Sequence, residues 1–193
     1  MLSKLAALIL GIVSERERNP YEITKMLEQL NTRKLLPLAD STVYATINNL
    51  KKQGLITGRT ERNGNLPEKT IYSITPEGEF EFHESITSFL EDDVNSPSNF
   101  DIGILLMHNL SKPEILIKLK KKLERLESNS YTIRKQILSF EMDSTKVAFT
   151  SLSMLKHRMH LIEAELKTIR ELIKELNVRQ TISDLSPFDM RMF

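Results

Sequence analysis

Two long stretches of the sequence place apolar residues in steps of three and four, and few folds accommodate them. In the first, Leu116, Leu119, Leu123, Leu126, Ser130, Ile133, Ile137 and Phe140 fall on one line. In the second, Leu152, Leu155, Met159, Ile162, Leu166, Ile169, Ile173 and Leu176 do the same without a break. Spacing of that kind, sustained over many turns, keeps one seam of an α-helix against a partner helix. The carboxy-terminal half is therefore expected to hold two long helices, preceded by a short apolar helix from Phe100 to Leu110. Antiparallel packing of the two within one chain buries part of both seams. Three helices with no aromatic core make a thin domain. The residues of the second seam are thus expected to be completed by a second copy of the chain, the alternative being a self-sufficient helical hairpin.

The amino-terminal half is organised by caps and turns. Leu2 to Val13 is apolar enough to be a buried first helix. Asn19-Pro20-Tyr21-Glu22 starts a second, with Asn at the cap, Pro at the first position and Glu at the third. It runs to about Asn31 and buries Ile23, Met26, Leu27 and Leu30. After a loop containing Pro37, Asp40 or Ser41 caps a third helix that ends near Gly54, a residue suited to the position after a helix. Leu55 to Arg62 and Lys69 to Ile74 read as two strands around the turn residues Asn63, Gly64 and Asn65. Thr75-Pro76-Glu77 opens another helix, to about Leu90. Three helices, a two-stranded ribbon and a helix describe a winged helix-turn-helix. The Ser-, Pro- and Asn-rich run from Val94 to Asn99 is a boundary. The chain is expected to be mainly α, with a DNA-binding domain over residues 1–93 and a helical dimerisation domain over 99–193.

The third helix carries the functional signal. Val43, Ile47 and Leu50 form a narrow apolar stripe, while Ser41, Tyr44, Ala45, Asn48 and Lys52 lie on the other side. From Ser41 to Ile56 there is no carboxylate, whereas a merely solvated helix mixes acids with bases. In a helix-turn-helix the second helix of the motif enters the major groove, where Asn pairs bidentately with adenine and Ser or Thr serves base edges or phosphates. Ser41, Thr42, Tyr44, Ala45, Asn48 and Asn49 are expected to line the groove, with Lys51 and Lys52 placed toward phosphates. Arg59, Arg62 and Lys69 flank the wing turn as a second basic element. Net charge is +1, but the average conceals a basic stretch from Arg33 to Lys69 and a purely acidic run from Glu77 to Asp93.

Other classes have less support. There is no Cys, which excludes disulfides and thiolate metal sites. No stretch approaches the roughly 20 apolar residues of a membrane span, and the apolar start lacks a signal-peptide cleavage pattern, so a cytoplasmic protein is expected. His157 and His160, with Glu163 and Glu165 nearby, have a spacing that places ligands on one helix face, but two His without a further frame are better explained as exposed helix positions. No metal or other cofactor is expected. No phosphate-binding glycine loop or nucleophile set marks an enzyme.

The segments NPYEITKMLEQ, DSTVYATINNLKKQGLI and EKTIYSITPEG together resemble the PadR family of transcriptional regulators over roughly the first half of the chain. The matching positions are Tyr21-Glu22, Thr42 and Tyr44, Gly54-Leu55-Ile56, and Lys69, Tyr72, Thr75, Pro76 and Gly78. Three positions depart from the family pattern: Pro20 replaces Gly, Ala45 replaces Pro, and Glu68 replaces an Arg before the wing Lys. The resemblance implies a helical dimerisation region after the winged domain and a ligand-responsive repressor. In some members a flat aromatic compound enters a pocket beside the dimer helices; Met107, His108, Tyr131 and Phe140 are the candidates for such a lining.

The expected DNA contacts are then Tyr21, Ser41, Thr42, Tyr44, Ala45, Asn48, Asn49, Lys51, Lys52, Arg59, Arg62 and Lys69. The expected function is that of a homodimeric repressor of an inverted-repeat operator on double-stranded DNA, released by a small-molecule effector. The alternative is a winged-helix protein-interaction module without a specific DNA target; it predicts acids on the third helix or an apolar exposed wing, and the sequence has neither. The tail from Asn177, with Phe188, Met190, Met192 and Phe193, carries no readable signal.

Overall fold

The computed structural model describes residues 2–29, 39–62, 68–92, 97–142 and 149–179. The chain divides into two compact units, Met1–Val94 and Asn95–Phe193. Leu30 and Asn31, expected at the end of the second helix, Pro37, the expected turn residues Asn63 to Asn65 and the tail beyond Arg179 lie outside the described residues.

In the first unit, α1 (Lys4–Glu15) begins where the Ser3 hydroxyl accepts from the Ala6 amide, and it buries Leu5, Ile9, Leu10, Ile12 and Val13. The expected capping box opens α2 (Pro20–Gln29): the Glu22 amide donates to Asn19 Oδ1 at 3.0 Å, and the Asn19 amide donates to Glu22 Oε2 at 3.1 Å. Helix α3 (Asp40–Lys52) has Ala39 at its N-cap, with no side-chain capping bond. This corrects the expectation of a cap from Asp40 or Ser41. Asp40 instead sits in the first turn, where a carboxylate meets the positive end of the helix dipole. The other end of α3 is closed by its backbone. The Leu55 amide reaches back to Leu50 O and the Gly54 amide to Lys51 O, a pairing that requires Gly54 in the left-handed region at φ 74°.

Strands β1 (Ile56–Glu61) and β2 (Lys69–Ile74) pair antiparallel, from Ile56 opposite Ile74 to Glu61 opposite Lys69. Arg18 exchanges both backbone hydrogen bonds with Tyr72, at 3.0 and 2.8 Å. Thus β2 is paired on both edges at Tyr72, and the segment between α1 and α2 is fixed to the wing. Helix α4 (Pro76–Glu91) is capped by Thr75, whose hydroxyl accepts from the Gly78 amide. Thr75 also donates its amide to Leu55 O (3.1 Å) and its hydroxyl to Gly54 O (2.7 Å). Gly78 lies so close that a Cβ there would be 2.0 Å from Leu55 O. The core joins α1, α2, α3 and the strand bases through Ile9, Leu10, Ile23, Ile47, Leu50 and Ile56. Full burial of each such side chain contributes about 1.5–3 kcal/mol.

In the second unit, α5 (Asn99–Leu106) starts with a reciprocal box between Ser98 and Asp101. It stops at Leu106, short of the expected Leu110, and a single 3-10 turn (Met107–Asn109) follows. The cause is local. The Asn109 amide group donates to Leu106 O, a side-chain bond that competes with helix continuation. Ser111 and Glu114 form the next start, with the Ser111 amide and hydroxyl both donating to Glu114 Oε2. Asp101 and Glu114 titrate below the usual carboxylate range because Ser98 and Ser111 bond to their charged forms.

Helices α6 (Lys112–Met142) and α7 (Phe149–Val178) form an antiparallel hairpin. One apolar cluster joins Ile115, Leu119 and Leu126 to Leu166, Ile169 and Leu176; another joins Ile133 to Leu155 and Met159. Both expected seams lie in this interface, with one shift. At the start of α6 it is Ile115 that is buried, while Leu116 is only half-buried, because a straight helix drifts about 20° per heptad from a 3.5-residue repeat. Ser130 stays in the seam and donates to Met159 Sδ at 3.5 Å. Ion pairs flank the apolar line at Lys122–Glu165, Glu127–Arg170, Arg134–Glu163 and Glu141–Lys156. No helix among the described residues is long and apolar enough to cross a membrane.

Candidate nucleic-acid interface

Helix α3 buries Val43, Ile47 and Leu50 and exposes the rest of its circumference. Ser41, Thr42, Tyr44, Ala45, Asn48, Asn49, Lys51 and Lys52 are all on the exposed side. Among the described residues, no hydrogen bond or ion pair within the chain engages the side chains of Ser41, Tyr44, Asn48, Asn49, Lys51 or Lys52. Tyr44 is 45% exposed although aromatic. The helix thus presents amides, hydroxyls and two ammonium groups with unused hydrogen-bonding capacity. Thr46, at the edge of the face, turns its hydroxyl back onto Thr42 O at 2.8 Å and is spent locally.

The wing bases divide into two kinds. The Arg59 guanidinium donates twice to Glu17 Oε2, at 3.2 and 2.6 Å, and also bonds Glu61. The Glu17 carboxylate, with help from Glu61, raises the Arg59 pKa further above its ordinary value. Arg59 therefore ties the segment after α1 to β1. Arg62 and Lys69 are exposed and have no ion-pair partner among the described residues. The Arg59–Glu61 contact is readable from strand alternation, since residues two apart share a face. Glu17, forty-two positions away, leaves no such trace.

Tyr21, in the first turn of α2, is 69% exposed. It meets Tyr44 across a shallow depression that Asn19, Glu68, Lys69 and Thr70 also line. The sequence places Tyr21, Tyr44 and Lys69 in separate elements; the fold brings them to one spot. Asn19, Glu68 and Thr70 are additions that spacing alone does not indicate.

Elsewhere the candidates disperse. Met107 packs in the hairpin cluster at the start of α6, Phe140 in the cluster at its far end, and Tyr131 is exposed. Ile115 and Phe140 are about 37 Å apart along the helix at 1.5 Å per residue. One chain's hairpin therefore does not gather Met107, His108, Tyr131 and Phe140 into a single pocket. His157 and His160 are exposed, while Glu163 and Glu165 are held by Arg134 and Lys122. Among the described residues no group of three or more His, Asp or Glu is placed to hold a metal ion. Leu155, Met159, Leu166, Ile169 and Leu176 are buried in their own hairpin, with Leu152, Ile162 and Ile173 half-buried.

Comparisons with known proteins agree with this architecture. Residues 9–84 match the profile of the transcriptional regulator PadR-like family. Bacillus subtilis PadR in complex with operator DNA is similar at a TM-score of 0.69 and 18% identity, covering 90% of this chain and 99% of that one. The PadR-like transcriptional regulator BC1756 from Bacillus cereus is similar at 0.64 and 24%, with 90% and 98% covered. Bacillus subtilis PadR in complex with p-coumaric acid is similar at 0.66 and 15%, with 93% and 100% covered. A comparison with curated proteins found no match. The part of the chain that folds as a winged helix-turn-helix, residues 9–84, is thus similar to the PadR-like family of transcriptional regulators.

Proposed function

We propose that the protein is a homodimeric, cytoplasmic repressor that binds an inverted-repeat operator through residues 1–93, pairs through residues 99–193, and is released by a small-molecule effector. The observation that carries the reading is the exposed face of α3, where the side chains of Ser41, Tyr44, Asn48, Asn49, Lys51 and Lys52 have no partner among the described residues. Asn48, Asn49 and Tyr44 are assigned to the major groove, with Ser41, Thr42 and Ala45 beside them. Lys51 and Lys52 are assigned to phosphates, as are Arg62, Lys69 and Tyr21. Arg59, bound by Glu17 and Glu61, supports the wing more than it contacts DNA. Bacillus subtilis PadR, solved with operator DNA, supports the same use of this fold.

Pairing has its own support. The Leu152–Leu176 seam faces α6 of the same chain, so a second copy needs another surface. Ile117, Tyr131 and Leu138 remain exposed on α6, and Met154 and Leu161 on α7. Within each helix they stand seven or fourteen residues apart, which places them on one side. A second apolar line outside the hairpin is the pattern that an identical partner would cover. Two copies reading one face of DNA then present their α3 helices about 34–36 Å apart, one helical turn. An effector that alters this separation releases the operator; the p-coumaric acid complex of Bacillus subtilis PadR supports a small ligand of that kind.

Selection of bound duplexes from a random DNA pool tests the reading, with affinity for the winner then followed against salt. An enriched inverted repeat with a steep salt slope is expected. Folded, dimeric protein that enriches no sequence would overturn it.

A further inference from the structure

The depression between α2, α3 and β2 joins Tyr44, at the edge of the groove-reading face of α3, to side chains of α2 and the wing. Tyr21, Tyr44, Lys69 and Thr70 line it, and their side chains have no hydrogen-bond or ion-pair partner among the described residues. Three hydroxyls and one ammonium thus converge from three elements on a small concave area. The two non-bridging oxygens of a singly charged phosphodiester are the acceptors that such donors fit, since Tyr and Thr hydroxyls donate one bond each and Lys adds charge. Asn19 also borders the depression, but its side chain is committed to capping α2. Glu68 lies directly beside Lys69 on the same lining. It is exposed, and no ion pair neutralises it among the described residues. A carboxylate opposes the anion that the other four groups attract.

We infer that this depression seats one backbone phosphate of the bound DNA, and that Glu68 is a built-in electrostatic brake on that contact. The inference rests on the DNA-binding reading above. Glu68 is too exposed to organise the fold, and its charge acts on DNA through solvent over a few ångströms, within the Debye length at physiological salt. Its effect falls on the phosphate term, which is shared by specific and non-specific DNA. The brake therefore lowers affinity for all duplexes by one common factor and leaves the sequence preference to α3.

The test uses the full-length protein with two labelled duplexes, the selected operator and a scrambled sequence, titrated by fluorescence anisotropy from low to physiological salt. Glu68→Gln is expected to bind both duplexes about three- to tenfold more tightly at low salt, with the gain shrinking as salt rises. Tyr21→Phe and Lys69→Ala are expected to weaken both, and Lys69→Ala to reduce the log–log salt slope by about one. Unchanged affinity of Glu68→Gln for both duplexes, with wild-type binding intact, overturns the brake. A changed preference between the duplexes also overturns it, because Glu68 then reads a base. Wild-type protein that binds neither duplex sinks the regulator reading itself, a different failure. Melting curves of each variant separate lost binding from lost fold.

Discussion

The α6–α7 hairpin and the exposed face of α3 use charge in opposite ways. On the hairpin, Lys122, Arg134, Lys156 and Arg170 each meet a carboxylate on the facing helix. These pairs flank an apolar seam and hold its register. On α3, Lys51 and Lys52 have no acid partner among the described residues. The side chains of Ser41, Tyr44, Asn48 and Asn49 are also unengaged among the described residues. The charges that flank the hairpin seam are answered across it, whereas those on the α3 face are left open to something absent. The contrast recurs within the wing, where Arg59 is satisfied by Glu17 and Glu61 while Arg62 and Lys69 have no ion-pair partner among the described residues.

The contrast can be broken from either side. The largest effect is expected at the hairpin seam: Ile169→Ala, at a fully buried position, should cost about 3 kcal/mol. Urea unfolding measures it, and operator contacts on α3 should be unchanged in the protein that remains folded. On α3, Asn48→Ala should cost about 2 kcal/mol of specific binding and almost nothing in unfolding free energy, since its side chain is exposed. Lys52→Ala should instead weaken all duplexes alike and reduce the salt slope by about one. In the wing, Arg59→Ala should change that slope less than Lys69→Ala does; an equal change would mean that Arg59 leaves its carboxylates for DNA. The smallest effect belongs to the hairpin charges: a double-mutant cycle on Arg134 and Glu163, both exposed, should give coupling under about 0.5 kcal/mol. Strong coupling there would erase the distinction between seam and flank.

What the sequence made legible was local or periodic. The box at Asn19 and Glu22, the Thr75 cap, Gly54 after α3 and the hairpin seams are all encoded within a few residues or by a repeating interval. The end of α5 was harder, since apolar composition continues to Leu110 while Asn109 and Ser111 impose a break. Long-range pairings were not legible. Nothing in the spacing links Arg59 to Glu17, or draws Tyr21, Tyr44 and Glu68 to one depression, because those contacts exist only once α1, α2 and the wing have packed. The candidate α3 residues could be named because burial of Val43, Ile47 and Leu50 fixes which side faces out. Their division between bases and phosphates depends on a partner that the chain does not contain.

The joint at Thr75 has a mechanical meaning. Its amide and hydroxyl are fastened to Leu55 and Gly54, just past the end of α3, and Gly78 is pressed against Leu55 with no room for a side chain. A hinge needs slack, and this joint has none. Helices α4 and α3 are therefore joined like two arms of one bell crank at the base of the wing. On the proposed DNA-binding role, a signal that passes through α4 has no need to melt or reshape α3; turning the crank by a few degrees would move its tip out of register with the groove.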